Sequence, residues 1–176
     1  MSDVTILRAA DRVAQPWKNG GGITREVAVF PPGAGMDEFE WRVSIADVSA
    51  VGAFSPFKGV DRILTVLEGQ LRLDIDGAAQ PIVLGAGDRH AFAGEAAVVG
   101  TPFGKDVRDL NIMTRRGRWL ARIAPYQPGL SGGDVRVAIA TQDCAGLAQW
   151  DGLLLSDGNE PPPGFYGYLI RLDHMG

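Results

Sequence analysis

The chain has 176 residues, 45% hydrophobic and 22% charged, the composition of a soluble globular protein and not of a disordered one. Its formal net charge is -4 and its basic residues are scattered, so neither a nucleic-acid footprint nor a basic membrane-binding face is expected. Cys144 is the only cysteine, which excludes a disulfide framework and a thiolate metal cluster.

The start, Met1-Ser2-Asp3-Val4-Thr5-Ile6, has no basic stretch leading into an apolar one, and no apolar run approaches the ~20 residues of a membrane-spanning helix. A cytoplasmic protein is therefore expected. The 24 glycines and 11 prolines are distributed along the chain and punctuate many short segments, as in an all-β protein rich in tight turns. Cys144 has no histidine nearby in sequence and reads as a small buried filler, not a nucleophile.

In chain order, Val4 to Leu7 reads as a first edge strand. Gln15-Pro16-Trp17-Lys18-Asn19 leads into a glycine triplet at Gly20, Gly21 and Gly22, and Ile23 to Phe30 then alternates with period two. That alternation puts Ile23, Arg25, Val27 and Val29 on one face, where Arg25 either snorkels out or lines a cavity. Glu40 to Ala46 is a second alternating strand, with Trp41, Val43 and Ile45 facing the core. Arg42, Ser44 and Ala46 face solvent or a polar pocket. Val60 to Leu67 is a strong strand, and a turn is expected at Gly69 into a half-exposed strand from Gln70 to Asp76. Pro81 to Leu84 is a short strand before the turn Gly85-Ala86-Gly87-Asp88. Val107 to Arg115 carries Val107, Asp109, Asn111 and Met113 on one face, against Leu110 and Ile112 on the other. Val135 to Ala140, Gly152 to Leu155 and Tyr166 to Leu172 complete the set. No segment shows sustained helical periodicity, so a β-sandwich or barrel of Greek-key or jelly-roll type is expected.

Several blocks resemble the HutD/Ves family of cupins. They are Trp17-Lys18-Asn19-Gly20-Gly21-Gly22-Ile23-Thr24-Arg25-Glu26, Trp41-Arg42-Val43-Ser44, Phe54-Ser55-Pro56-Phe57 with Gly59-Val60-Asp61-Arg62, and Arg108 to Gly117. They stand in the family's order. The resemblance implies an all-β cupin (RmlC-like jelly-roll) barrel arranged as a compact bicupin with two β lobes. The expected division is 1–117 for the lobe carrying the motifs and 118–176 for a reduced second one. It also implies a link to bacterial histidine utilisation, as a binder of a pathway metabolite that regulates flux, with no catalytic activity to carry over.

Cupins commonly hold a divalent metal with two histidines, a glutamate and a further histidine. Counting back from Gly69, the glutamate position is Arg62, and the paired histidines fall among Ser55, Pro56, Phe57 and Lys58. A guanidinium cannot ligate a cation and repels one, so no metal and no cofactor is expected. His90, near the remaining histidine position, is a single imidazole against the three or four ligands a metal needs. Arg62 must be compensated if buried. Asp109 could pair with it as a structural ion pair, or Arg62 could present its planar fork to a ligand carboxylate. In the second case Lys18 and Asn19, on the glycine-rich turn, reach the same ligand, Arg42 and Ser44 add donors, and Asn111 recognises an amide-like group. The expected ligand-binding set is Lys18, Asn19, Arg25, Arg42, Ser44, Arg62, Asp109 and Asn111. The expected partner is a small-molecule carboxylate such as formiminoglutamate, with no nucleic acid, no membrane, and a homodimer left open. Trp41 reads as core, Trp17 as wall or core, and Phe54 and Phe57 as a plug at the barrel's end. The alternative is a metal-independent isomerase or hydrolase acting on a small polar acid, with His90 as the available general base.

Overall fold

The computed structural model describes residues 3–156 and 158–176, apart from the side chain of Lys105. Among these, regular structure is strands plus one 3-10 turn at Ala9–Asp11, and no helix is long and apolar enough to cross a membrane. The strands are β1 (Val4–Leu7), β2 (Ala14–Pro16), β3 (Gly22–Phe30), β4 (Trp41–Val48), β5 (Gly52–Ala53), β6 (Val60–Ile75) and β7 (Ile82–Gly85). They continue as β8 (Arg89–Ala93), β9 (Val98–Arg115), β10 (Trp119–Pro125), β11 (Val135–Ala140), β12 (Gly152–Leu155) and β13 (Gly167–His174). The fold is all-β and cupin-like, as the sequence predicts.

The described residues form two compact units, 13–116 and 3–12 with 117–176. The second holds the antiparallel sheet β1-β12-β11-β13-β10, around a core that includes Leu153, Leu155, Phe165 and Leu169. Residues 4–7, assigned by sequence to the lobe ending at 117, pair with β12 in this sheet. Its strand β10 is not apparent in the sequence, because the apolar Leu120 and Ala124 on the side opposite Trp119, Ala121 and Ile123 blur its alternation.

The unit 13–116 carries the motif blocks. Its sheet runs β2-β3-β4-β9-β6-β7, with β5 on β9 and β8 on β6. The spine is β6 against β9, paired from Val60 opposite Arg115 to Ile75 opposite Val98. Leu64, Val66, Leu71, Leu73, Val98 and Val107 form the core cluster along it. The turn expected at Gly69 is instead a bulge. The register shifts between Val66 and Glu68 and again between Glu68 and Gln70, so one bent strand continues where two were expected. Gly69 has φ +78°, and a Cβ there would lie 3.0 Å from Val107 Cγ2 and 3.2 Å from the Asp106 carbonyl oxygen. Both constraints require glycine. Gly69→Val is therefore expected to lower stability by roughly 2–4 kcal/mol, measurable as a lower urea midpoint. An unchanged midpoint would show that the bend is not constrained.

A second bulge, between Glu26 and Ala28 in β3, breaks the period-two pattern that the sequence suggested. Val29 is paired with Arg42 and Ala28 with Val43, so beyond the bulge Ala28, not Val29, continues the face of Arg25.

Candidate functional site

The registers of β3, β4, β9, β6 and β8 build one face out of transverse rows. Antiparallel partners share a face, so Thr24, Ala46, Asp109 and Val66 form one row. Glu26, Ser44, Asn111, Leu64 and His90 form the next, and Val29, Arg42, Met113, Arg62 and Phe92 the third. A cavity of about 450 Å³ opens over this face, within the roughly 300–1,000 Å³ typical of small-molecule sites. Its other walls come from the segments around Trp17 and Phe54, with Met36 at the edge.

Arg62 sits at the centre, 6% exposed. Its Nη2 donates to Asn111 Oδ1 at 2.7 Å and its Nη1 reaches the Ser55 carbonyl at 3.5 Å, while Nε is buried with no hydrogen-bond partner. The guanidinium lies 5.0 Å from the ring centre of Phe92, 5.5 Å from Phe54 and 5.7 Å from Phe57. Such cation–π contacts contribute about 0.5–2 kcal/mol each and offset part of the desolvation cost. Burial still lowers the Arg62 pKa to about 10; the Asp109 charge acts against that lowering, and the Arg42 charge adds to it.

Asp109 is fully buried. It makes no ion pair with Arg62; Asn111 stands between them, accepting from Arg62 through Oδ1 and donating through Nδ2 to Asp109 Oδ1. Asp109 Oδ2 has no hydrogen-bond partner. Burial pushes its pKa up to about 7, against the pull of the Arg62 charge, with the Asp47 charge adding to the rise and the Asn111 hydrogen bond opposing it. A carboxyl group with one unused oxygen, joined to a buried cation through a neutral amide, is poised between charge states.

Arg42, 3% exposed, is compensated by Glu26, with Nε 2.9 Å from Glu26 Oε2. At the exposed mouth, the Trp17 indole N–H donates to Thr24 Oγ1 at 2.7 Å, and its ring meets Phe54 edge-on at 5.8 Å. Gly22 permits this approach, because a Cβ there would come within 3.0 Å of the indole. Arg115 donates to the carbonyls of Asp37 at 2.6 Å and Phe39 at 2.8 Å, holding the loop that carries Met36 to the cavity.

Over residues 9–155 the chain matches the family model described as HutD. The chain belongs to the HutD family. An uncharacterised 21.2 kDa Pseudomonas putida protein, described by its position in the hutC 3′ region, is 44% identical over 124 residues, 70% of this chain and 64% of that one. Protein Ves of Citrobacter koseri is 42% identical over 109 residues, 61% of this chain and 56% of that one. The match thus spans less than two thirds of these curated relatives. The structure of HutD from Pseudomonas fluorescens SBW25, determined in a formate condition, is 30% identical with a TM-score of 0.84, covering 99% of this chain and 100% of that one.

Of the residues expected at the site of this HutD-family chain, Lys18, Asn19, Arg42, Ser44, Arg62, Asp109 and Asn111 line the cavity. Arg25 does not. It pairs with Ile45 on the opposite face, where Nη1 sits 2.7 Å from Asp47 Oδ2, and Arg108 holds the other oxygen of Asp47. Asn19 lines the wall but is committed to the loop, accepting from the Gly21 N–H at 2.9 Å and donating to the Ala53 carbonyl at 3.2 Å. These two bonds tie the turn next to Lys18 to the segment at Ala53. Asn19→Ala is expected to cost about 1–2 kcal/mol of stability and to weaken ligand binding several-fold, readable by calorimetry; unchanged values for both would remove this role.

Phe54 and Phe57, expected as a plug, instead flank Arg62 within the cavity wall. Phe92 was missed, since its tie to Arg62 is a cross-strand pairing of β8 with β6 that local pattern cannot show. His90 lies opposite Leu64, stacks on Phe92 at 6.4 Å and is not a lining residue. The residues do not fit a cupin metal: a guanidinium occupies the centre, and among the described residues no three His, Cys, Asp or Glu side chains converge.

Proposed function

We propose that this HutD-family protein binds a small carboxylate metabolite in the Arg62 cavity without a metal, as a regulatory or flux-governing receptor and not a catalyst. The observation that carries the reading is a buried guanidinium without a direct counter-ion, its Nε unsatisfied, on the wall of a ligand-sized cavity. An unpaired donor of this kind is costly unless something completes it, and a carboxylate meets it with charge-assisted hydrogen bonds. Lys18, exposed at the mouth, adds a second positive charge, and Asn111 and Ser44 add polar contacts on the floor.

The metabolite class follows from the family and from the P. putida relative's place beside hutC. An acidic intermediate of histidine breakdown, formiminoglutamate or a near analogue, carries the carboxylate together with a polar end for the amide and hydroxyl side of the floor. Calorimetric titration with formiminoglutamate, formylglutamate, urocanate and glutamate tests this. One of the first two should bind best, and absence of binding by all four would refute the reading. On the same reading, the unit holding residues 117–176 is a reduced second cupin half. An experimental structure in which its strands fail to superpose on those of Val13–Arg116 would contradict that.

A further inference from the structure

Asp109 and Arg62 both line the cavity, and the unpartnered Oδ2 of Asp109 is buried, so a carboxylate bound at Arg62 lies within the field of Asp109. An ionised Asp109 would repel it, and an ionised Asp109 with a free, fully buried oxygen is itself poorly solvated. A protonated Asp109 reverses both effects. Its Oδ1 already accepts from Asn111, so the proton belongs on Oδ2, where it can be donated to an anionic oxygen.

Resting on the carboxylate-receptor reading above, we propose that Asp109 is a ligand-contacting acid: a carboxylate binds this cavity together with one proton, taken from solvent and held between Asp109 Oδ2 and the ligand.

The charged groups around Asp109 are consistent with this. β6 supplies Arg62, reached only through Asn111, and β4 supplies Arg42, already committed to Glu26 of β3. On the opposite face, Asp47 of β4 raises the proton affinity of Asp109, while Arg108 of β9 and Arg25 of β3 are engaged with Asp47. Lys18 stands exposed at the mouth. Among the described residues no cation touches Asp109 directly, so an added anion beside Arg62 weakens the positive field that favours its ionised form and raises its proton affinity further.

The sign follows from linkage. Below the free-state pKa of about 7, Asp109 already holds the proton and binding takes up none; above it, binding takes up close to one. For N-formylglutamate, whose carboxylates stay ionised throughout, the binding constant should fall about 30-fold between pH 6 and pH 8.5. Titrations at pH 8.5 in buffers of low and high ionisation enthalpy should differ by the heat of one proton. Asp109→Asn, which keeps the shape and offers an N–H toward the cavity, should bind with little pH dependence and no proton uptake. If wild type binds N-formylglutamate with no buffer-dependent heat, or if the Asn variant retains the full pH dependence, this inference fails while the receptor reading stands. If neither N-formylglutamate nor any of the other three acids binds at either pH, both fall.

Discussion

Arg62→Met is expected to weaken carboxylate binding by about 10²–10⁴-fold while leaving the protein folded. Methionine fills most of the volume between Phe54, Phe57 and Phe92 and packs well against aromatic rings. Among the described residues, it removes the only buried donor fork on the cavity floor that lacks a carboxylate partner. Two charge-assisted hydrogen bonds at about 1.5–3 kcal/mol each set the size of the loss. Stability should change far less, because deleting a desolvated cation offsets the loss of its contact to Asn111. Arg62→Lys should recover only part of the affinity, since an ammonium cannot hold Asn111 and grip a carboxylate in two places. Calorimetry beside a thermal melt separates the effects. Loss of folding in Arg62→Met, or retained affinity, would assign Arg62 a structural role instead.

Asp109→Asn is expected to make stability less sensitive to pH. In the unfolded chain this carboxyl titrates near 3.9, whereas burial raises its folded value to about 7. Between those values the folded state holds the proton more tightly than the unfolded state. The stability linked to Asp109 is therefore fully present below about pH 4, declines as pH rises, and is lost once pH passes about 7. Asparagine carries no such linkage. Relative to wild type, the variant should gain nothing near pH 4 and on the order of 2–4 kcal/mol by pH 8, less whatever Arg62 loses with its nearest negative charge. Urea midpoints across that range decide it; a constant difference between the two proteins would mean that Asp109 titrates alike in both states.

The strands with clean alternation were legible in the sequence. Arg42, Ser44, Asp109 and Asn111 fall on one face because their spacing is two and the register of β4 on β9 matches Ser44 to Asn111. Arg62 stood out because a cation interrupts an apolar strand face that continues through Leu64 and Val66. What could not be read were features set by bulges and distant pairing. The bulge at 26–28 alters which β3 residues share a face, and Arg25 found Asp47 on the opposite side from the cavity. Gly69, which locally has the look of a hairpin turn, is a bend held in place by β9, thirty-odd residues further along the chain. The intermediary role of Asn111 was also out of reach. Whether Arg62 meets Asp109 directly depends on side-chain reach across a diagonal of the sheet, and the amide at 111 occupies that space.

On the proposed reading, the Arg62 guanidinium receives a ligand carboxylate. An experimental structure of the protein crystallised with N-formylglutamate tests it most directly. A carboxylate oxygen is expected within hydrogen-bonding distance of Arg62 Nε, with the Lys18 ammonium turned toward the same molecule. A ligand bound elsewhere, or Arg62 Nε facing a protein group with the ligand out of reach, would contradict it.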